Sequence, residues 1–306
     1  MPSLTADDLR ALVPSWELSL RSDRKAPGTI VGYRKGVDQY LAHCDTSNAD
    51  PLARATLRGW IADRLDDGLS PHTARSRQLA VRRFTAWLAA EEEIDADPFL
   101  GIAPPKVDVG VVEPLTTEQL RALLAACAIR PGMTDEQRFM ARRDEALLRL
   151  MLETGLRAGE AVAMATHDLH LPEGVAVIRR GKGGKGRTVP FGPQTATAID
   201  RYLRTRRTHR RADDEALWLG TRGRGFSYHA LHFALGARAA EAGIEGWHPH
   251  RMRHTAAHRW LAAGGSEGGL MAVAGWSSPQ MVTRYSRARA SERAAAEARS
   301  LGLGDL

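Results

Sequence analysis

The sequence predicts a mainly α-helical protein with one small β-sheet, divided into an N-terminal helical domain and a larger C-terminal domain. Three observations carry this expectation. Apolar residues recur at helical spacing through most of the chain. An aperiodic stretch with three prolines, GIAPPKVDVGVVEP from Gly101 to Pro114, interrupts them. It sets the expected domains at residues 1–103 and 113–306, with a linker at 104–112. Between Ala165 and Phe191 the period turns strand-like around a Gly/Lys-rich turn.

Within the first domain four helices are expected. LTADDLRALVPSWELSLRS offers Thr5 as an N-cap. APGTIVGYRKGVDQYLAHC starts a second helix after Pro27 and Gly28, and ATLRGWIADRLDDG a third, closed by Gly68. The fourth, SPHTARSRQLAVRRFTAWLAAEE, has Ser70 as N-cap and Pro71 at its first position. Its arginines Arg75, Arg77, Arg82 and Arg83 surround an expected apolar stripe of Leu79, Phe84, Trp87 and Leu88. They read either as a solvated face or as phosphate contacts to a DNA backbone.

The second domain opens with LTTEQLRALLAACA, capped by Thr116 or Thr117. RRDEALLRLMLETG is a strongly apolar helix stopped by Gly155, and Arg157 then begins a further helix with Glu160 one turn on. THDLHL, GVAVIRR and RTVPF read as β segments, the last two joined by GKGGKG with Lys182 at its tip. PQTATAIDRYLRTRRTHRR is an expected helix carrying six arginines between Arg201 and Arg211. DDEALWLG reads as a strand and Tyr228 to Ala242 as a helix. RMRHTAAHRWLAA is free of Gly and Pro, so His250 and Arg253, three apart, fall on one helical face that Gly264 and Gly265 end. An apolar run from Leu270 to Val273, a Gly-Trp turn at Trp276, and Tyr285 between Arg284 and Arg287 follow.

The 306 residues hold 43 Lys+Arg against 36 Asp+Glu, for a net charge of +7. Residues 1–110 hold 14 basic against 16 acidic side chains; the remainder holds 29 against 20. A polyanionic partner, nucleic acid above all, is therefore expected to meet mainly the C-terminal two-thirds. Cys44 and Cys127 read as free thiols of a reducing compartment. The polar N-terminus is unlike a signal peptide, and no apolar run approaches a membrane span. A cytoplasmic protein without membrane contact is expected. GKGGKG does not match the phosphate-loop pattern, because no Ser or Thr follows the lysine and no helix follows the loop. His250, His254 and His258 recur every four residues. Arginines 251, 253 and 259 around them would repel a cation, so neither metal nor cofactor is expected.

TGLRAGE, GKGGKGRTVPF, HPHRMRHTAAHRWLAAG and GWSSPQMVTRYSR stand in the order and spacing of the tyrosine recombinase (phage integrase) family. The resemblance runs from about Val112 to the end. It implies a C-terminal catalytic domain and, before it, a SAM-like core-binding domain. By this resemblance Arg157 and Arg253 are the two catalytic arginines and Lys182 the β-hairpin lysine. His250 completes the His-x-x-Arg box, Trp276 fills the His/Trp position, Tyr285 is the nucleophile, and Glu160 is a supporting acid. HPHR offers a competing box, His248 with Arg251. The pair His250/Arg253 is preferred because RHTAA continues from Arg253 and the distance to Trp276 fits. An indole N–H donates a hydrogen bond but cannot shuttle a proton, so Trp276 has no acid–base role.

The chemistry suits these residues. Two permanently charged guanidinium forks match the non-bridging oxygens of a phosphodiester, and a tyrosine with an ordinary pKa near 10 needs cations and a base beside it. The family implies a site-specific recombinase working through a 3′-phosphotyrosyl intermediate, in integration or excision of a mobile element or in dimer resolution. It also implies double-stranded DNA as the partner and a tetramer on synapsed DNA, with the helical tail 287–306 docked in cis or in trans. The short N-terminal part leaves little room for an arm-binding domain, which favours simple short sites. A type IB topoisomerase-like relaxing enzyme and a catalytically idle DNA-binding relative are the alternatives.

Overall fold

The computed structural model describes residues 4–107, 112–179, 186–221, 223–276, 278, 279 and 282. The chain forms two compact units, residues 1–110 and 111–306. Among the described residues, no helix is long and apolar enough to cross a membrane.

The first unit is built from α1 (Ala6–Ser22), α2 (Pro27–Ser47), α3 (Arg54–Asp66) and α4 (Pro71–Ala90). Thr5 caps α1 reciprocally: its hydroxyl accepts the Asp8 N–H at 3.2 Å, and the Asp8 carboxylate accepts the Thr5 N–H at 2.8 Å. Two otherwise orphaned donors are satisfied together. Ser70 caps α4 ahead of Pro71, as expected. Helix α2 starts at Pro27 itself, two residues earlier than the sequence reading, because a proline at the first helical position lacks only an N–H that has no intrahelical partner anyway. Trp16, Tyr40, Trp60, Phe84, Leu88 and Phe99 form the centre of this unit's core. Helices α2 and α4 touch at Gly36, where an added Cβ would lie 2.6 Å from the Ala80 Cβ.

The stripe expected on α4 needs correction. Leu79 is 41% exposed, whereas the buried face is Ala74, Gln78, Val81, Phe84, Thr85 and Leu88. Nine residues separate Leu79 from Leu88, two and a half helical turns, so the two point to opposite sides.

In the second unit, α5 (Thr117–Ala125) starts at a Thr116 capping box with Gln119. Helix α6 (Asp135–Thr154) is the buried centre, with Leu147, Leu148, Leu150 and Met151 inaccessible to solvent. A short helix, α7 (Ala158–Val162), and a 3-10 turn at Thr166–Asp168 lead into the sheet. Strands β1 (Leu169–His170), β2 (Val175–Ile178) and β3 (Arg187–Pro190) pair antiparallel in that order, with Ile178 opposite Arg187. Then come α8 (Pro193–Arg206), α9 (Tyr228–Glu241), α10 (Pro249–Ala262) and α11 (Glu267–Ala274). A satellite cluster of Ala257, Leu261, Leu270, Ala274, Trp276 and Val282 joins α10 to α11.

Two expectations change here. Helix α8 stops at Arg206 instead of continuing through Arg211, and DDEALWLG makes only isolated bridges, Ala165 with Ala216 and Leu219 with Gly225. One side chain accounts for both. Arg206, 6% exposed, folds back and donates to the carbonyls of Ala212 (2.8 Å), Ala216 (2.7 Å), Leu217 (3.1 Å) and Asp214. The Tyr202 hydroxyl also donates to the Leu217 carbonyl at 3.0 Å and accepts the Leu219 N–H. Side chains thus take most of the carbonyls of this segment, and its backbone pairs elsewhere only at single points, Leu217 N–H with the Met164 carbonyl and the Glu215 carbonyl with Thr166 N–H among them.

Candidate active site

The site begins where α6 ends. Gly155 takes a left-handed φ of +64°, which reverses the chain and places Arg157 at the N-cap of α7. Glu160 then sits at the third helical position. Its carboxylate accepts the Arg157 backbone N–H at 3.0 Å and the Arg157 Nη1 at 2.7 Å. The acid is buried, while Arg157 keeps 27% of its side chain in solvent. So Arg157 is both anchored and presented.

Glu160 has a second cation. Arg187, the first residue of β3, reaches the same carboxylate with Nη2 at 2.7 Å and Nη1 at 3.2 Å. Its Nε donates to the Val273 carbonyl at 2.7 Å, near the end of α11. Burial, the largest single influence on Glu160, raises its pKa. Hydrogen bonds from Arg187 and Arg157 together with the charge of Arg187 outweigh it and hold the carboxyl below its ordinary range.

Arg253 enters from α10, third after His250. It is 2% exposed, and its two terminal nitrogens donate to the carbonyls of Gly155 and Ala274, both at 2.7 Å. Its guanidinium carbon lies 5.1 Å from the centre of the Trp276 ring. Gly275, with φ +64°, ends α11 and delivers Trp276 to this place. Arg157, Glu160, Arg253 and Trp276 are thereby joined through the α6–α7 turn and the end of α11.

His250 is exposed on the first turn of α10, its ring edge-on to that of buried His254 at 4.8 Å. The competing pair does other work. His248 is the N-cap of α10, its Nδ1 accepting the Arg251 N–H at 3.1 Å. Burial first, then Arg251 and His232, lowers its pKa. Arg251 donates to the carbonyls of Glu113 at 3.0 Å and Glu245 at 2.8 Å, tying α10 to the segments before it. Among the described residues, no three His, Cys, Asp or Glu side chains are grouped to hold a metal ion.

Lys182, Tyr285 and the tail 287–306 lie outside the described residues. The four α4 arginines differ in their surroundings. Arg75 and Arg83 are exposed, Arg77 donates to the Gly32 carbonyl at 3.2 Å, and Arg82 is half-buried with its Nε enclosed. Sequence reasoning gave Arg187 no role, although RTVP was read as a strand. The only signal was an arginine opening a strand beside a glycine-rich turn. Its acidic partner is 27 positions away in sequence, beyond any local pattern.

Comparison with known proteins completes the picture. The family model described as "Phage integrase family" matches residues 113–292, and "Phage integrase, N-terminal SAM-like domain" matches residues 13–92. The tyrosine recombinase XerD of Ralstonia nicotianae is 32% identical over 278 residues, 87% of each chain. The tyrosine recombinase XerC of Pseudomonas fluorescens is 31% identical over 246 residues, 79% of each chain. Among solved structures, a lambda integrase dimer bound to a COC′ core site superposes with TM-score 0.70 at 15% identity, covering 90% of this chain and 76% of that one. The Tn1549 transposon integrase in complex with circular intermediate DNA gives 0.70 at 18%, covering 92% and 95%. At these identities the superpositions speak for the fold alone. The family models and the two recombinase sequences go further: the chain belongs to the phage integrase family, the tyrosine-type site-specific DNA recombinases.

Proposed function

We propose that this protein cuts and rejoins double-stranded DNA at a short specific site, with the Tyr285 hydroxyl as nucleophile. The Tyr285 oxygen attacks the scissile phosphorus, a 3′-phosphotyrosyl bond forms, and the bond to the 5′-oxygen breaks. Arg157 and Arg253 hold the two non-bridging oxygens as charge gathers on them, usually the largest catalytic contribution. His250 assists removal of the tyrosyl proton, Lys182 gives a proton to the departing 5′-oxygen, and the Trp276 N–H donates to the phosphate. Glu160 fixes Arg157. Attack by a 5′-hydroxyl of another strand reverses the step and conserves the bond energy, so no nucleotide cofactor is consumed.

The observation that most supports this reading is the linkage of Arg157 and Arg253 through one turn. Arg253 holds the Gly155 carbonyl at 2.7 Å, two residues before Arg157. Two guanidinium groups on a shared support suit one tetrahedral anion. In this reading the sites are short and simple, and four copies of the chain bind two synapsed duplexes in the cytoplasm. On α4, exposed Arg75 and Arg83 contact DNA phosphates in this reading, and half-buried Arg77 and Arg82 flank them.

Suicide substrates nicked near the cleavage point, incubated with genomic fragments as the source of the site, test the proposal. Covalent adduct from the wild type and none from Tyr285→Phe is the expected result. The sequence of the trapped DNA then separates a mobile-element end from a chromosomal resolution site. Tight binding with no adduct on any DNA overturns it.

A further inference from the structure

The N–H groups of Gly275 and Trp276 close α11 on the Ala272 and Met271 carbonyls, which leaves those of Val273 and Ala274 to other donors. Two arginines from distant parts of the chain take them: Arg187 holds the Val273 carbonyl and Arg253 the Ala274 carbonyl, each at 2.7 Å. Cations at a helix C-terminus also complement its partial negative charge. The two arginines then diverge. Arg253 runs to the Gly155 carbonyl, and Arg187 to both oxygens of Glu160, which grips Arg157.

Arg187 is shaped to this place. Its side chain is only 11% exposed. Its guanidinium fills the space over Gly275, where an added Cβ would come within 2.9 Å of Nη1 and 3.0 Å of Cζ. Three chain segments, 157–160, 187 and 273–276, therefore meet on one planar group. A lysine keeps the charge but offers no fork to span two carboxylate oxygens and a carbonyl together.

We propose that Arg187 is a positioning residue for phosphoryl transfer: through Glu160 it sets the Arg157 guanidinium, and through the end of α11 it sets Trp276. This rests on the reading of Arg157 as a clamp on the scissile phosphate. Arg187 itself is not assigned a contact with DNA. Its loss is expected to act on the rate of strand cleavage and not on DNA affinity.

The test compares Arg187→Lys with wild type in single-turnover cleavage of two suicide substrates. One carries the normal scissile phosphodiester, the other a methylphosphonate, which lacks one non-bridging charge. Arg157→Ala serves as the reference. On the phosphodiester, Arg187→Lys should cleave about 100-fold more slowly than wild type, the order of loss that follows from misplacing a catalytic group. On the methylphosphonate its deficit relative to wild type should shrink, in parallel with that of Arg157→Ala, because the charge that Arg157 neutralises is gone. Gel-shift affinity should be unchanged. A general folding defect lowers both rates by one factor, so the ratio between substrates decides the matter even if some of the variant is unfolded. Wild-type cleavage rate on the phosphodiester, or an equal deficit on both substrates, overturns the proposal. If the wild type itself forms no adduct, the recombinase reading has failed, and this one with it.

Discussion

The Arg253 guanidinium donates to the backbone carbonyl of Gly155 at 2.7 Å, across 98 positions of sequence. This bond joins the helix carrying the His-x-x-Arg box to the turn carrying Arg157. It makes the relative placement of the two arginines a property of the fold and not of either loop.

Arg253→Lys should therefore lose both stability and activity. Lysine cannot reach the Gly155 and Ala274 carbonyls at once, and a buried carbonyl left unpaired costs about 1–3 kcal/mol. Urea denaturation should show a loss of that size. Adduct formation in the suicide-substrate assay should fall about 100- to 1,000-fold, the range for removal of one oxyanion donor. Unchanged urea stability would contradict the assignment of those two hydrogen bonds.

Glu160→Gln should change the response to acid. Because the native carboxyl is held below the ordinary glutamate range, the folded state binds fewer protons than the unfolded one as pH falls. Its contribution is thus present above the unfolded pKa and disappears as pH drops through the lower native value. Denaturation midpoints followed downward from neutral pH should show a shallower acid limb in Glu160→Gln than in wild type. Parallel limbs would remove Glu160 from the list of acid-sensitive groups.

His248 and His250 should separate cleanly. Removing the cap in His248→Ala should cost about 1 kcal/mol of stability. The native cap uses the unprotonated Nδ1, and the lowered His248 pKa matches that. Its contribution is present above the ordinary value near 6.5 and falls as pH drops through the native one, so wild type and His248→Ala should converge in stability in acid. His250→Ala, on an exposed position, should leave the melting temperature in place and slow cleavage about 100- to 10,000-fold. The opposite pattern would move the functional pair to His248/Arg251.

Cys44 and Cys127 should be unreactive in the native protein. Both are buried, and burial pushes their thiols up to about 11 and about 12. A chromogenic disulfide reagent at mildly alkaline pH should find almost no thiolate until denaturant is added, after which both should react. Rapid modification of the folded protein would show that one of the two core clusters opens readily.

Much of the fold was legible because its signals are local. Thr5, Ser70 and Thr116 each stand directly before the helix they cap, and Gly155 stops α6 where a residue with positive φ is needed. The misses have a common cause. Leu79 looked apolar enough for the core, yet its angular position on α4 puts it opposite Leu88. The DDEALWLG segment has strand composition, but Arg206 and Tyr202 claim the carbonyls a ladder would have used.

The sequence by itself determined which residue types are present for phosphate chemistry, in which order, and on which helices or strand they lie. Spacing of three or four along a helix is enough for that, and it relates Glu160 to Arg157. Of two overlapping His-x-x-Arg pairs with the same spacing, the sequence favoured His250/Arg253 through the RHTAA that continues from Arg253 and the distance to Trp276. Only the tertiary structure shows what each side chain touches: His248 caps α10, Arg251 tethers it, and Arg253 is the buried brace between Gly155 and Ala274. Arg187 belongs to the same class of decision. Its partners Glu160 and Val273 come from 27 residues before it and 86 after it, and only the packed backbone brings such distances to one hydrogen-bond length.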